Sequence, residues 1–433
     1  MRGRSSAGKD VSTCFTVAPV YSLALIFFAG CGAVHDEAPA SGRSTASRPP
    51  EVAAVTTRAI AETATAAFEA PSPAADIGGA QTGPAALVPI EAGAVYLRAA
   101  EDAAGHRELH AYRLNENGVV NGDPVVVFAT GASFWDFKAT RVGNRVAVAT
   151  CTFDDSSGGR FAHYWLGWFD PEAQGEAQVQ GREIARERPL GAEATTPPCT
   201  VSIAPTDDGV LLARGTSRLG RRTNAFTVEV YPEDGSDPRI LVTARQNIMM
   251  SAYIVVEGAG DAAIVASLNE GPLEMHVSRF PLAGPPSRCR SFPCRRENLA
   301  TVPMVVGVPI WTGDEVVYAG ARSRTTSLEG LRWEADGTPS GEPEPSPLTA
   351  DLRCNESGDR PLVSIHFGDH DIDIDPASQD GPSNFGFVFW ALGLEDHPAS
   401  VAWTGSAFVL VARDGTLTTI RCIDGELSRQ RPE

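Results

Sequence analysis

The densest run of potential ligands is "HFGDHDIDIDPASQDGPSNFG", residues 366–386. Asp369, Asp371, Asp373 and Asp375 alternate there, with Asp380 beyond them. An extended strand turns alternate side chains to one face, so four carboxylates would crowd together. Such crowding is self-repelling unless a positive charge sits among them. Ca²⁺, which takes about six to eight oxygen ligands, is the expected guest. The plain alternative is an acidic, solvated loop with nothing bound, the usual state of a charge run. His366, His370 and Asp369 offer a transition-metal set instead. His-x-x-x-His shares a face only on a helix, however, and Gly368 with its β-branched flanks speaks against one. The Glu of an H-E-x-x-H zinc motif is missing.

The DxDxD run resembles the opening of a calcium-binding loop. The likeness stops at the sixth position, where the sharp turn needs Gly and this chain has Ile374 or Pro376, depending on register. The other conspicuous segment is "FAHYWLGWFD", residues 161–170. Tyr164, Trp165 and Trp168, with Phe169, are more rings than one strand contributes to a core. They read either as core fillers on both faces of a sheet or as a stacking platform for a sugar or a partner protein. Phe134, Trp135 and Phe137 around Asp136 pose the same choice. The sequence holds no G-x-S-x-G elbow, no P-loop, no dinucleotide fingerprint after a strand and no local Cys/His signature. It assigns no catalytic residue.

The elements that must position these groups are short β-branched runs separated by turn signals, from residue 86 onward. "IWTGDEVVYAGA" (310–321) and "AWTGSAFVLVAR" (402–413) repeat each other closely, and their glycines Gly313 and Gly405 are 92 residues apart. Related Gly-then-strand lines occur at Gly93, Gly143, Gly209, Gly260 and Gly358. A second marker is a strand ending in an acidic or Asn-Gly turn, as in "YRLNENG", "VEVYPEDG", "LRWEADG" and "TIRCIDG". Asx-Gly supplies the positive φ of tight hairpins. Four strands in about 40–50 residues is the spacing of a propeller blade. The expectation is an all-β, seven-bladed β-propeller over residues 86–433, with six blades or tandem β-sandwiches as alternatives. No long amphipathic helical pattern interrupts the units, which excludes α/β architectures. The resemblance is architectural, because no WD dipeptide, kelch di-glycine or aspartate box is present.

The N-terminus reads as an address. Arg2, Arg4 and Lys9 precede an apolar segment from Val17 to Ala29. That is shorter than the ~20 residues needed to cross a hydrocarbon core and has the basic-then-apolar order of a secretory signal. Phe28-Ala29-Gly30-Cys31 resembles the lipobox of bacterial lipoproteins, departing from it at Phe28, where an aliphatic residue is usual. The resemblance implies cleavage after residue 30 and acyl chains on Cys31, and Gly32 after the Cys implies delivery to the outer membrane. Two or more chains hold a protein at a bilayer far better than one. Residues 31–85 are rich in Ala, Pro, Ser and Thr and poor in large apolar residues, so they read as a disordered tether that lifts the body off the lipid.

The chain has 433 residues and a net charge of −18, and residues 1–30 add positive charge to that total. An acidic body repels phosphate backbones, which excludes nucleic acid as the main partner. Hydrophobic residues at 42% allow a sizeable core. Six cysteines remain in the exported body, an even number suited to disulfides. Sequence proximity favours Cys289–Cys294, and then most simply Cys151–Cys199 and Cys354–Cys422. The expectation is a monomeric, lipid-anchored envelope protein, a binding or assembly module for an envelope protein or glycan. The alternative is an envelope polysaccharide hydrolase or lyase with carboxylates at the propeller axis.

Overall fold

The computed structural model describes residues 85–101, 107–130, 133–154, 161–172, 180–187, 199–216, 224–246, 254–269, 274–289, 294, 297–303, 306–321, 328–341, 344–367, 370–374, 400–412 and 415–430. All the regular structure among them is β, and among them no helix is long and apolar enough to cross a membrane. Cys31 and the tether lie outside the described residues, as do Asp369, Asp375 and Asp380.

Six antiparallel meanders follow one another along the chain. The first holds β1 (Ala85–Ile90), β2 (Gly93–Glu101), β3 (Arg107–Leu114) and β4 (Val125–Thr130). The second holds β5 (Ser133–Val142), β6 (Arg145–Asp154), β7 (Phe161–Phe169) and β8 (Gln180–Glu187). The third holds β9 (Cys199–Thr206), β10 (Gly209–Thr216), β11 (Asn224–Pro232) and β12 (Arg239–Gln246). The fourth is β13 (Ile254–Ala259), β14 (Ala262–Asn269), β15 (Glu274–Pro281) and β17 (Asn298–Val302), with the short β16 (Ser287–Arg288) running parallel to β12 of the third sheet. The fifth runs through β18 (Val306–Trp311), β19 (Glu315–Ala321), β20 (Leu328–Glu334), β21 (Ser346–Cys354), β22 (Pro361–Phe367) and β23 (His370–Ile374). The last is β24 (Ser400–Trp403), β25 (Phe408–Val411), β26 (Leu417–Ile423) and β27 (Glu426–Gln430).

Each sheet packs on the next, and the last packs on the first. Each neighbouring pair of sheets shares one apolar core. Sheets one and two meet through Leu97, Leu109, Val148 and Phe169, and sheets two and three through Ala149, Tyr164, Val210 and Leu212. The ring closes where Leu87 and Tyr96 meet Val409 and Val411. Middle strands therefore feed alternate residues to two cores: Val210 and Leu212 of β10 face one way, Leu211 and Ala213 the other. Burial on both faces is why these strands read as continuous apolar runs.

This is a six-bladed propeller, not the seven-bladed one counted from glycine spacing. The unit at Gly358 is real as strands, but β21, β22 and β23 add to the fifth blade's sheet. β20 pairs with β21 over Leu328–Gly330 only, and β21 then pairs along its length with β22. Its apolar face (Leu348, Leu352, Val363, Ile365, Phe367) joins the core shared with Trp403 and Phe408 of the sixth blade.

The repeat carries devices at fixed places. The four Asx-Gly turns hold Gly118, Gly235, Gly337 and Gly425 at positive φ, as the turn chemistry requires. In them Asn115, Asp234 and Asp336 accept hydrogen bonds from the backbone two residues on. These turns lean on the preceding blade: Thr404 and Ser406 of the sixth donate to the carbonyl of Glu116, and Arg279 of the fourth donates to that of Ala335. In the first four blades the outer strand is bulged by one residue, and the aliphatic residues there are Val127, Ile184, Leu241 and Leu299. All three disulfides join the pairs that proximity favours. Cys151–Cys199 ties the second blade to the third, Cys354–Cys422 ties the fifth sheet's extension to the sixth, and Cys289–Cys294 closes a loop of the fourth.

Candidate functional site

The acidic hairpin is built by β22 and β23 against β21. Alternation sends Ile372 inward and leaves Asp371 and Asp373 on the exposed face. Each carboxylate already faces a cationic or hydrogen-bonding side chain. Both carboxylate oxygens of Asp373 accept from Nη2 of Arg353, at 3.0 and 2.9 Å, and one also accepts from the Ser364 hydroxyl. Asp371 lies 2.6 Å from Nδ1 of His366, whose other nitrogen is 3.6 Å from Asp351. The hydrogen bond to Asp371 raises the His366 pKa above its usual value, more than burial lowers it. Among the described residues no group of three or more His, Cys, Asp or Glu could hold a metal ion.

The aromatic strand is split by its own alternation. Tyr164 and Trp168 of β7 face the third blade, and Trp165 faces the first. Tyr164 is fully buried, and its hydroxyl donates to the carbonyl of Gly215 at 2.7 Å. It belongs to the core between blades two and three, so the three rings do not form one exposed platform. Trp168 is half-buried, with the Arg145 guanidinium 5.6 Å from its ring centre. Arg145 borders a shallow hollow lined also by Asp207, Asp208, Pro232, Glu233 and Asp234, where turns of the second and third blades meet.

The axis is built from the inner strands β1, β5, β9, β13, β18 and β24. Their outer partners cannot supply their free edges with hydrogen bonds, so side chains from adjacent blades do so. Asp136 of β5 accepts from the Val201 amide of β9, and Ser202 of β9 accepts from the Val256 amide of β13. Ser400 of β24 accepts from the Leu87 amide of β1 across the ring closure. Glu257 follows Val256 as Ser202 follows Val201, and it too is buried. Burial raises the Asp136 pKa, opposed by the nearby Lys138 ammonium and the Val201 bond. Lys138 Nζ stands 3.5 Å from the Asp136 carboxylate. The partners in this ring are more than fifty residues apart, so no local pattern in the sequence announces it.

A further charged group lies between blades two and three. Glu229 accepts hydrogen bonds from Arg214 and from the Tyr231 hydroxyl, and burial together with the Glu229 charge pushes the Tyr231 pKa up. These groups satisfy one another within the third blade, and the Arg214 guanidinium also lies 5.7 Å from the ring centre of Tyr164 in the second.

No protein-family model matches the chain, and no curated protein matches it. Among solved structures it is similar to AofleA from Arthrobotrys oligospora, with a TM-score of 0.39 at 9% identity over 80% of this chain and 86% of that one. It is similar to the six-bladed Aleuria aurantia lectin, with a TM-score of 0.35 at 7% identity over 80% of this chain and 94% of that one. It is also similar to prolyl oligopeptidase B from Galerina marginata, with a TM-score of 0.35 at 10% identity over 65% of this chain. The match spans 38% of that oligopeptidase. The blade count rests on the sheet order and the six shared cores.

Proposed function

We propose that the chain is an exported, lipid-anchored binding or assembly module of the cell envelope, acting as a monomer. Acyl chains on Cys31 hold it at the outer membrane, residues 32–85 set its reach, and the propeller presents a surface to an envelope glycan or protein. The observation that carries the reading is how the acidic groups are used. Asp371 and Asp373 are matched by His366 and Arg353, and Asp136 is matched by Val201 and Lys138. Carboxylates committed to internal bonds fit a display scaffold. Three disulfides fit an oxidising, exported compartment.

The polysaccharide hydrolase or lyase reading has the half-buried Asp136 and the buried Glu257 on its side, as carboxylates of the inner strands. A structural Ca²⁺ at Asp369, Asp371, Asp373, Asp375 and Asp380 stays a proposal. It would require Asp371 and Asp373 to exchange His366 and Arg353 for the ion.

Cells fed an alkyne-tagged palmitate should label the wild-type protein in the outer-membrane fraction. Cys31→Ala should take up no label and appear in the soluble fraction. An unlabelled wild-type protein would sink the anchor. The detergent-solubilised protein is also titrated with soluble peptidoglycan fragments and assayed for new reducing ends. Binding without turnover supports the module, whereas turnover that disappears in Asp136→Asn would replace it with the hydrolase.

A further inference from the structure

The three disulfides differ in solvent access and in what they hold. Cys151 and Cys199 are buried in the core between the second and third blades. Cys354, the last residue of β21, and Cys422, near the end of β26, are both half-buried. Cys289 is half-buried too, but Cys294 is buried, and their bond closes a separation of only 5 residues within the fourth blade. A thiolate must reach a sulfur to attack it, so access sets the order in which the bonds exchange.

The Cys354–Cys422 bond holds the β21–β23 extension. The ladder that joins this extension to the rest of the fifth sheet is short: Leu328, Glu329 and Gly330 of β20 pair with Leu348, Pro347 and Ser346 of β21. β21 pairs along its length with β22, and β22 with β23, so most of the extension's ladder bonds are internal and it can move as a unit. It meets the sixth blade in three ways. Its apolar face shares a core with Trp403 and Phe408. Its turn at Gly358 packs on the hairpin turn of β26 and β27, where an added Cβ would lie 3.0 Å from the Gly425 Cα. The disulfide is the third contact, and it keeps the Cα atoms of Cys354 and Cys422 5.8 Å apart. The first two contacts are non-covalent and can part together. With the bond intact they cannot part far, because β21 stays within one cystine link of β26.

We propose that Cys354–Cys422 is a redox latch: a dithiol reductant opens it ahead of Cys151–Cys199, and the freed extension then swings on its short junction with β20. A reductant thiolate attacks one of the two sulfurs, forms a mixed disulfide and releases the other sulfur as a thiolate. The second reductant thiol displaces the mixed disulfide. The reductant ends as an internal disulfide and the protein as two thiols, so two electrons and two protons have moved. An exported thiol–disulfide oxidoreductase is the class of partner that supplies them. An element held by few bonds opens locally at far lower cost than the whole domain unfolds, so the other blades stay closed.

The test treats the full-length protein in detergent with dithiothreitol under native conditions. Free thiols are trapped by alkylation and located by peptide mass spectrometry. Cys354 and Cys422 should become labelled at least about tenfold faster than Cys151 and Cys199. Amide hydrogen exchange is then measured on the reduced protein. Exchange in β21–β23 should quicken at least about tenfold, with β5–β7 unchanged. Cys289→Ser/Cys294→Ser removes the other partly accessible bond and should leave that response intact. Cys354→Ser/Cys422→Ser should show the fast exchange without reductant and gain nothing from it. Labelling of all four cysteines at one rate overturns the latch, because the bond then opens only when the whole fold does. Unchanged exchange in β21–β23 after Cys354 and Cys422 are reduced overturns it as well, since the bond is then a staple that gates nothing. A response that disappears in Cys289→Ser/Cys294→Ser assigns it to the fourth blade's loop and also ends the proposal. None of these outcomes bears on the binding-module reading.

Discussion

Replacing Cys354 and Cys422 together by Ala should lower the melting temperature by about 6 °C. The bond closes a separation of 68 residues and joins β21, on the fifth sheet's extension, to β26 of the sixth blade. In the chain-entropy model a loop of that length withholds about 4 kcal/mol of freedom from the unfolded chain. Unfolding the roughly 350 residues of the propeller releases about 0.7 kcal/mol per kelvin, at ~2.1 cal/mol/K per residue. The ratio gives the shift. The same arithmetic for Cys289 and Cys294, separated by 5 residues, gives about 2 kcal/mol and about 3 °C. Both pairs are compared with the wild type by scanning calorimetry without reductant. Equal shifts for the two pairs would refute the entropic account, because loop length is the only quantity that separates them in it. A loss well beyond 6 °C for the first pair would mean that the bond holds the extension against Trp403 and Phe408 in the native state.

Two further predictions test the turn chemistry and a buried histidine. Gly93 sits at φ 120°, and a Cβ there would drive into the Leu114 carbonyl oxygen. Gly93→Ala should therefore cost about 3 kcal/mol or more, against about 1 kcal/mol for Gly260→Ala, where the added Cβ meets nothing; urea melts of both variants decide it. His276 is buried beside Thr301, and burial lowers its pKa below the usual 6.5. The folded state thus holds the neutral ring, so the stabilisation is present above pH ~6.5 and fades as pH falls through the lowered pKa. His276→Gln should flatten the stability profile as pH falls below about 6.5, and an unchanged slope would assign that dependence to other groups.

Much of the architecture was legible because it is written in local chemistry. Positive-φ turns need Gly, so Gly118, Gly235, Gly337 and Gly425 announce themselves in sequence and appear in the structure with that geometry. The cysteine pairs were readable from proximity because consecutive blades are neighbours in space. Blade number was less legible. Gly358 and the strands beside it have the look of an independent unit, yet hydrogen-bond partners are chosen by the fold, and β21 to β23 extend the fifth sheet. A count of turns counts hairpins, and a hairpin can join a sheet without founding one.

The candidate sites divide along the same line. Composition and alternation by themselves determined that the chain is all-β and acidic, that Asp371 and Asp373 share a face, and that the 161–170 strand is dense in rings. Only the tertiary structure decided what those groups meet. Tyr164 is core because a third blade lies against it, and Asp373 is neutralised because Arg353 comes from β21 two strands away. Asp136, Ser202 and Ser400 close the ring because the next blade offers each a free amide. Local pattern specifies which way a side chain points, but its neighbour is set by chain segments tens to hundreds of residues away, through packing that no local window of the sequence contains.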